Sequence, residues 1–105
     1  MIVKNLKKIS DDLQNALLQI HTKEDMFNFL RDLLTEDEII EFSQRLDIAQ
    51  KLYYNISYKK IEKETWSSST TIARVAKFLK GKFWGYRKIF EKDGYLVTKK
   101  DKTNK

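Results

Sequence analysis

Cysteine and proline are absent from this 105-residue chain, histidine occurs once, and the three glycines (Gly81, Gly85, Gly94) all lie late. Without cysteine there is neither a disulfide framework nor a thiolate metal site. His21 alone cannot form a histidine-rich one, so no metal site is expected. No apolar run approaches the roughly 18 residues needed to span a bilayer. The opening stretch, MIVKNLKKISDD, turns charged too soon for a secretory leader, and the expected compartment is the cytoplasm. Catalysis would need a converging nucleophile, base and stabilising group. His21 sits at an expected helix boundary with no evident partner. The acids Glu36, Asp37, Glu38 and Glu41 are explained by the start of a capped helix, so the chain does not read as an enzyme and implies no cofactor.

What is present is charge and aromatic surface. The length suits one domain with a modest core. Aromatic residues make up 12% of the chain, and several fall where a lone small domain could hardly hide them. That favours an obligate partner, most commonly a second copy. The net charge of +6 is unevenly spread. Residues 1–56 hold 7 basic and 10 acidic residues, net −3, whereas residues 57–105 hold 14 and 5, net +9. A basic half suggests one face that meets a polyanion. A merely solvated lysine-rich surface is the alternative. A membrane-surface role would want a basic amphipathic helix with an exposed apolar face, and no segment forces that reading.

With breakers so scarce, the first 80 residues read as helices separated by caps. Leu6, Ile9, Leu13, Ala16, Leu17 and Ile20 recur at helical spacing and predict a first helix near 4–20. Thr22 is the expected N-cap of a short apolar helix near 23–33. Thr35-Glu36-Asp37-Glu38 fits a capping box and opens a third helix running to about Tyr53. Its expected inner side holds Ile39, Phe42, Leu46, Ala49 and Leu52 or Tyr53, and Asn55 is its stop. Ser57 begins a helix near 58–64. A turn, Thr65-Trp66-Ser67, leads to another helix near 69–80, and a last helix is expected near 84–92. The expected organisation is a single domain over 1–96 with a basic, disordered tail at 97–105.

The stretch SYKKIEKETWSSSTTIARVAKFL, within about 57–80, fits a helix-turn-helix. In its second helix Ile72, Val75, Ala76 and Leu79 share one face that must pack inward, against Ile61. The opposite face offers Ser69, Thr70, Thr71, Ala73, Arg74 and Lys77. That mixture suits a DNA major groove. Arginine can bond bidentately to guanine, hydroxyls can donate or accept, and an alanine or threonine methyl can lie against the thymine methyl. Ser68 is the expected N-cap, with helix amides able to face a phosphate. Lys59, Lys60 and Lys63 lie on the preceding helix, which in this motif crosses the backbone, so their expected role is positioning. A generic helical hairpin is the bland alternative. It accounts less well for the lack of any acid between Thr65 and Phe90.

The segment from about 33 to 90 resembles the Trp repressor superfamily, in particular its YerC/YecD-like branch. The resemblance is carried by the LT-x-x-E helix start, Arg45, the S-Y-x-x-I helix opening, S-x-x-T-I-x-R-V at Ser68–Val75, and Gly85-Tyr86. It implies an all-α, intertwined homodimer whose two helix-turn-helix units meet successive major grooves. Phe83, Trp84, Ile89 and Phe90 would then belong to the interface, an ordinary intramolecular core being the alternative for them. By position, it implies DNA contacts at Lys59, Ser69, Thr70, Thr71 and Ala73. In tryptophan-binding members the arginines matching Arg45 and Arg74 sandwich the indole, and Thr35 matches a further pocket position. Here a glycine beside the second arginine is replaced by Val75, and a serine one turn later by Phe78. Both add bulk where a corepressor would sit, so L-tryptophan is not expected as a ligand, and Arg45 can instead pair with Glu41 on its own helix.

Two further departures stand out. Trp66 falls where relatives usually carry glycine in the turn, and a tryptophan held there at positive φ would be strained. Either the turn adopts another geometry or Trp66 anchors it by packing. Glu62 places an acid near the expected DNA surface. The resulting expectation is a sequence-specific regulator of transcription, a repressor, bound to duplex DNA as a homodimer. A helical RNA-binding or protein-interaction module is the alternative, and the small residues and arginine of the second helix favour a groove that A-form RNA closes off.

Overall fold

A computed structural model describes residues 5–92, and within them the only regular elements are seven helices. They are α1 (Leu6–Ile9), α2 (Asp11–Leu18), α3 (Lys23–Leu33), α4 (Glu36–Tyr53), α5 (Tyr58–Thr65), α6 (Ser69–Leu79) and α7 (Gly85–Phe90). The expected tail at 97–105 and the domain end at 96 lie outside the described residues. The chain divides between Ile40 and Glu41 into two compact units, a division that falls inside α4.

In the N-terminal unit the expected first helix is broken at Ser10. The Ser10 hydroxyl donates to the Leu6 carbonyl at 2.8 Å and accepts from the Gln14 amide nitrogen at 2.8 Å. A serine side chain that bonds its own backbone competes with helix continuation, which apolar spacing alone does not register. Thr22 caps α3 as expected, accepting from the Asp25 N–H at 3.1 Å. The capping box also forms: the Thr35 N–H donates to Glu38 Oε1 at 2.9 Å, and the Glu38 N–H donates to Thr35 Oγ1 at 3.1 Å. None of the residues of α1, α2 or α3 is buried. Leu6, Ile9, Leu13, Leu18, Phe27 and Leu33 all stand exposed.

The C-terminal unit has a true core. Ile48 and Ala49 of α4, Ile61 of α5, Ile72, Val75 and Leu79 of α6, and Phe90 of α7 are buried together. Each fully buried branched side chain stabilises the unit by about 1.5–3 kcal/mol before chain entropy is counted. Tyr53 and Tyr86 pack around Phe90 at ring separations of 5.4 and 5.8 Å. The inner side of α4 differs from expectation. Ala49 is buried and Leu46, Leu52 and Tyr53 partly so, but Phe42 is exposed and Ile48, not expected on that side, is fully buried. The buried residues of α4, Ile48, Ala49 and Gln50, all lie in its C-terminal half.

The end of α4 is closed by Asn55, at φ 65°. The Ile56 N–H reaches back to the Lys51 carbonyl at 3.0 Å and the Asn55 N–H to the Leu52 carbonyl at 2.9 Å. These are the two bonds of a Schellman stop, with asparagine in the place glycine usually takes. Lys51 also ties α4 to α5, sitting 2.9 Å from Asp47 and 3.9 Å from Glu64. At the other end, Arg87 Nε donates to the Leu79 carbonyl at 3.0 Å and holds α7 to the end of α6.

Candidate nucleic-acid interface

Helices α5 and α6 are both started by serine. Ser57 has extended φ/ψ and accepts from the Lys60 N–H at 3.2 Å. Ser68 is likewise extended and accepts from the Thr71 N–H at 3.1 Å. The turn between the helices is organised by Thr65, which is buried. Its hydroxyl donates to the Ile61 carbonyl at 2.7 Å and accepts from the Ser67 N–H at 3.3 Å. One side chain thus closes α5 and steers the chain into the cap of α6.

The two faces of α6 separate as expected from the sequence. Ile72, Val75, Ala76 and Leu79 are buried, while Ser69, Thr70, Ala73, Arg74 and Lys77 are exposed and Thr71 is half-buried. Ser68 is exposed, but its hydroxyl is engaged by Thr71. On α5, Lys59, Lys60 and Lys63 are exposed, with Lys60 Nζ 4.0 Å from Glu64. Glu62 is half-buried, so it projects less than the lysines around it. Exposed serine, threonine, alanine and arginine side chains on a capped helix can donate to, accept from and pack against a base edge. The flanking lysines can neutralise phosphates.

Beside this face lies a cleft of about 570 Å³. It is bounded by Glu41, Arg45 and Ile48 of α4, by Trp66 and Ser67 of the turn, and by Arg74, Val75 and Phe78 of α6. The fold therefore brings Arg45 and Arg74 to one cavity across about 30 residues of sequence. Arg45 is bonded to Glu41, and its guanidinium lies 5.4 Å from the Phe42 ring. The expected pairing with Glu41 is thus present. Val75 turns into the core and Phe78 stands 63% exposed at the cleft, so their added bulk does not fill it. Thr35 is occupied in the capping box of α4, in the N-terminal unit.

Trp66 departs from both sequence expectations. The turn keeps the left-handed geometry, with φ 60° and ψ 21° at Trp66. The indole does not anchor it by packing, being 92% exposed. Trp84, the residue before α7, has the same left-handed backbone, which nothing in the sequence had indicated. Gln44, which the sequence did not single out, and Tyr86, which it marked only by the Gly85-Tyr86 pair, also line the cleft. Neither belongs to the α5–α6 stretch, and only the packing of α4 and α7 brings them there.

Comparison with known proteins agrees with this geometry. The family model described as Trp repressor protein matches residues 8–93. The YerC protein of Bacillus subtilis (strain 168), which is uncharacterized, is 41% identical over 69 residues, spanning 66% of this chain and 66% of that one. The crystal structure of a TrpR-like protein from Eubacterium eligens ATCC 27750 superposes with a TM-score of 0.76 at 31% identity, over 80% of this chain and 87% of that one. A candidate Trp repressor from Staphylococcus aureus gives 0.78 at 33% identity, over 87% and 92%. The family is one of regulatory DNA-binding proteins rather than of enzymes. The capped α5–α6 pair, the two arginines on one cleft and the match across most of the length together identify the chain as a member of the Trp repressor protein family.

Proposed function

We propose that this protein is a sequence-specific double-stranded DNA-binding regulator of transcription, a repressor, acting as a homodimer with α5 and α6 as its helix-turn-helix. One observation carries the reading. Ser69, Thr70, Ala73 and Arg74 stand together on the open face of a helix whose other face is fixed in the core. Arg74 and the hydroxyls read base edges in the major groove, Ala73 meets a thymine methyl, and Lys59, Lys60 and Lys77 contact phosphates. The capped first turn of α6 brings its N–H groups toward the duplex.

The homodimer is supported by the N-terminal unit. Large apolar side chains on three helices with no buried residue need a partner surface, and a second copy supplies the same surface by symmetry. Two α6 helices related by a two-fold axis would read half-sites about 10 base pairs apart. Control by L-tryptophan is not part of the proposal, because Arg45 is already held by Glu41.

Selection of bound sequences from a random duplex DNA pool at physiological salt tests this reading. An enriched palindrome with half-sites one helical turn apart supports it. Retention without enrichment, vanishing as salt rises, reduces the activity to phosphate-driven binding. Equal binding to duplex RNA of the same length would favour an RNA-binding module instead.

A further inference from the structure

Among the residues around the α5–α6 turn, Trp66 is the one that folding does not account for. Its backbone lies at φ 60° and ψ 21°, a region where the Cβ of an L residue crowds the neighbouring carbonyl and where glycine fits without cost. Its N–H closes α5 on the Glu62 carbonyl at 2.9 Å, a bond that glycine would make equally well. The side chain gains almost no packing in return, being 92% exposed. A strained backbone that holds out a large apolar ring is unfavourable for folding on two counts. Such strain collects where a side chain has work to do outside the fold.

The surroundings say what kind of work. Trp66 borders the same cleft as Ser68, Thr71 and Arg74, and so stands at the edge of the open face of α6. The cleft it borders holds Arg45 and Arg74 against one acid, Glu41, and from Thr65 to Phe90 the chain carries six basic residues and no acid, a balance complementary to a polyanion. The indole has one N–H donor and no acceptor, whereas phosphate oxygens only accept. The flat apolar ring matches a deoxyribose face.

We propose that Trp66 is a DNA-backbone contact, its ring lying against a deoxyribose and its Nε1–H donating to a phosphate oxygen at the edge of the groove that α6 enters. This rests on the DNA-binding reading above. Base edges mix donors and acceptors and suit a pure donor less well, so the contact positions the protein and reads no sequence. The indole is neutral and displaces no condensed counterion. Trp66 therefore adds affinity on every duplex without adding to the salt dependence.

The test measures the full-length parent, Trp66→Gly and Trp66→Phe on a selected duplex and an unrelated one across a salt series, with melting and sedimentation alongside. Trp66→Gly is expected to melt at or above the parent, because glycine relieves the left-handed backbone. It should bind both duplexes about tenfold more weakly, the loss of one hydrogen bond to a charged group, with an unchanged salt slope. Trp66→Phe, which keeps a ring but not the donor, should fall between. In a Trp84→Phe background the remaining indole emission should change on adding duplex. Equal affinity of Trp66→Gly and the parent overturns the proposal. So does a lower melting temperature accompanying weaker binding, which assigns Trp66 to the fold. Loss of self-association with DNA affinity unchanged also overturns it, and gives the indole to a second copy of the chain. A parent that binds no duplex removes the DNA-binding reading itself, and this is seen before any variant is made.

Discussion

Ser68 and Thr71 are joined twice. The Thr71 N–H donates to the Ser68 hydroxyl at 3.1 Å, and that hydroxyl donates to the Thr71 hydroxyl at 3.1 Å. One short side chain therefore finishes the first turn of α6 and engages the hydroxyl of Thr71, a residue at the edge of its open face. Ser68→Ala should lower stability by about 1 kcal/mol, the usual worth of such a cap, and reduce the melting temperature by about 4–8 °C. Ser68→Asp should keep the cap, because a carboxylate accepts the same N–H. Its charge would face a phosphate, so DNA binding should fall while melting does not. A calorimetric scan beside a binding titration separates the two effects, and parallel loss in both measurements would leave Ser68 a purely structural role.

Arg74 is exposed on α6 while its neighbour Val75 is buried. The guanidinium is thus free to project from a fixed backbone. Arg74→Ala should cost about 1–3 kcal/mol on the preferred operator and relax the preference at one base position. Repeating the sequence selection with the variant checks this. A uniform loss over all sequences would make Arg74 a phosphate contact.

Lys59 is exposed near the start of α5, which in the proposed helix-turn-helix would cross the DNA backbone. Lys59→Ala should weaken binding on every sequence. It should also reduce the slope of log affinity against log salt by about 0.9, the value for one phosphate contact on B-DNA. A salt series on two unrelated duplexes is the measurement, and an unchanged slope would remove Lys59 from the interface.

Phe27 is 62% exposed on α3, a helix with no buried residue. Phe27→Glu should therefore change the fold of a single chain little. Burying its carboxylate in a symmetric interface, against the same residue or its neighbours, would be costly. Sedimentation should show the parent as a dimer and the variant shifted toward monomer at unchanged helicity. A variant that remains fully dimeric places the interface elsewhere.

The cleft beside α6 makes a prediction about effectors. Arg45 is committed to Glu41 and its guanidinium lies over Phe42. Isothermal titration with L-tryptophan should give no saturable heat, and operator affinity should be the same with and without it. Saturable binding, accompanied by a change in operator affinity, would show that the cleft retains a corepressor site.

Local chemistry decided much of this protein, and it was legible in the sequence. Thr22 and Ser68 cap the helices they were expected to cap, and Ser57 caps the helix it was expected to begin. The Thr35–Glu38 box closes, and Asn55 stops α4. The split of α6 into a buried and an open face also followed from spacing alone. These features depend on residues within four or five positions of one another, where side-chain type and helical period are sufficient. Ser10 is a local feature too, but its effect opposed the apolar period that argued for an unbroken helix.

What only the tertiary structure decided concerns residues far apart in the chain. The buried stripe of α4 runs through Ile48 rather than Phe42, because α5, α6 and α7 select which side of that helix loses water. Arg45 and Arg74 share a cleft because those helices pack together. Trp66 holds a left-handed backbone with its ring in solvent. The buried Thr65 on one side and the N-cap Ser68 on the other hold the two-residue turn of Trp66 and Ser67, and its left-handed backbone is set by that closure and not by the tryptophan side chain.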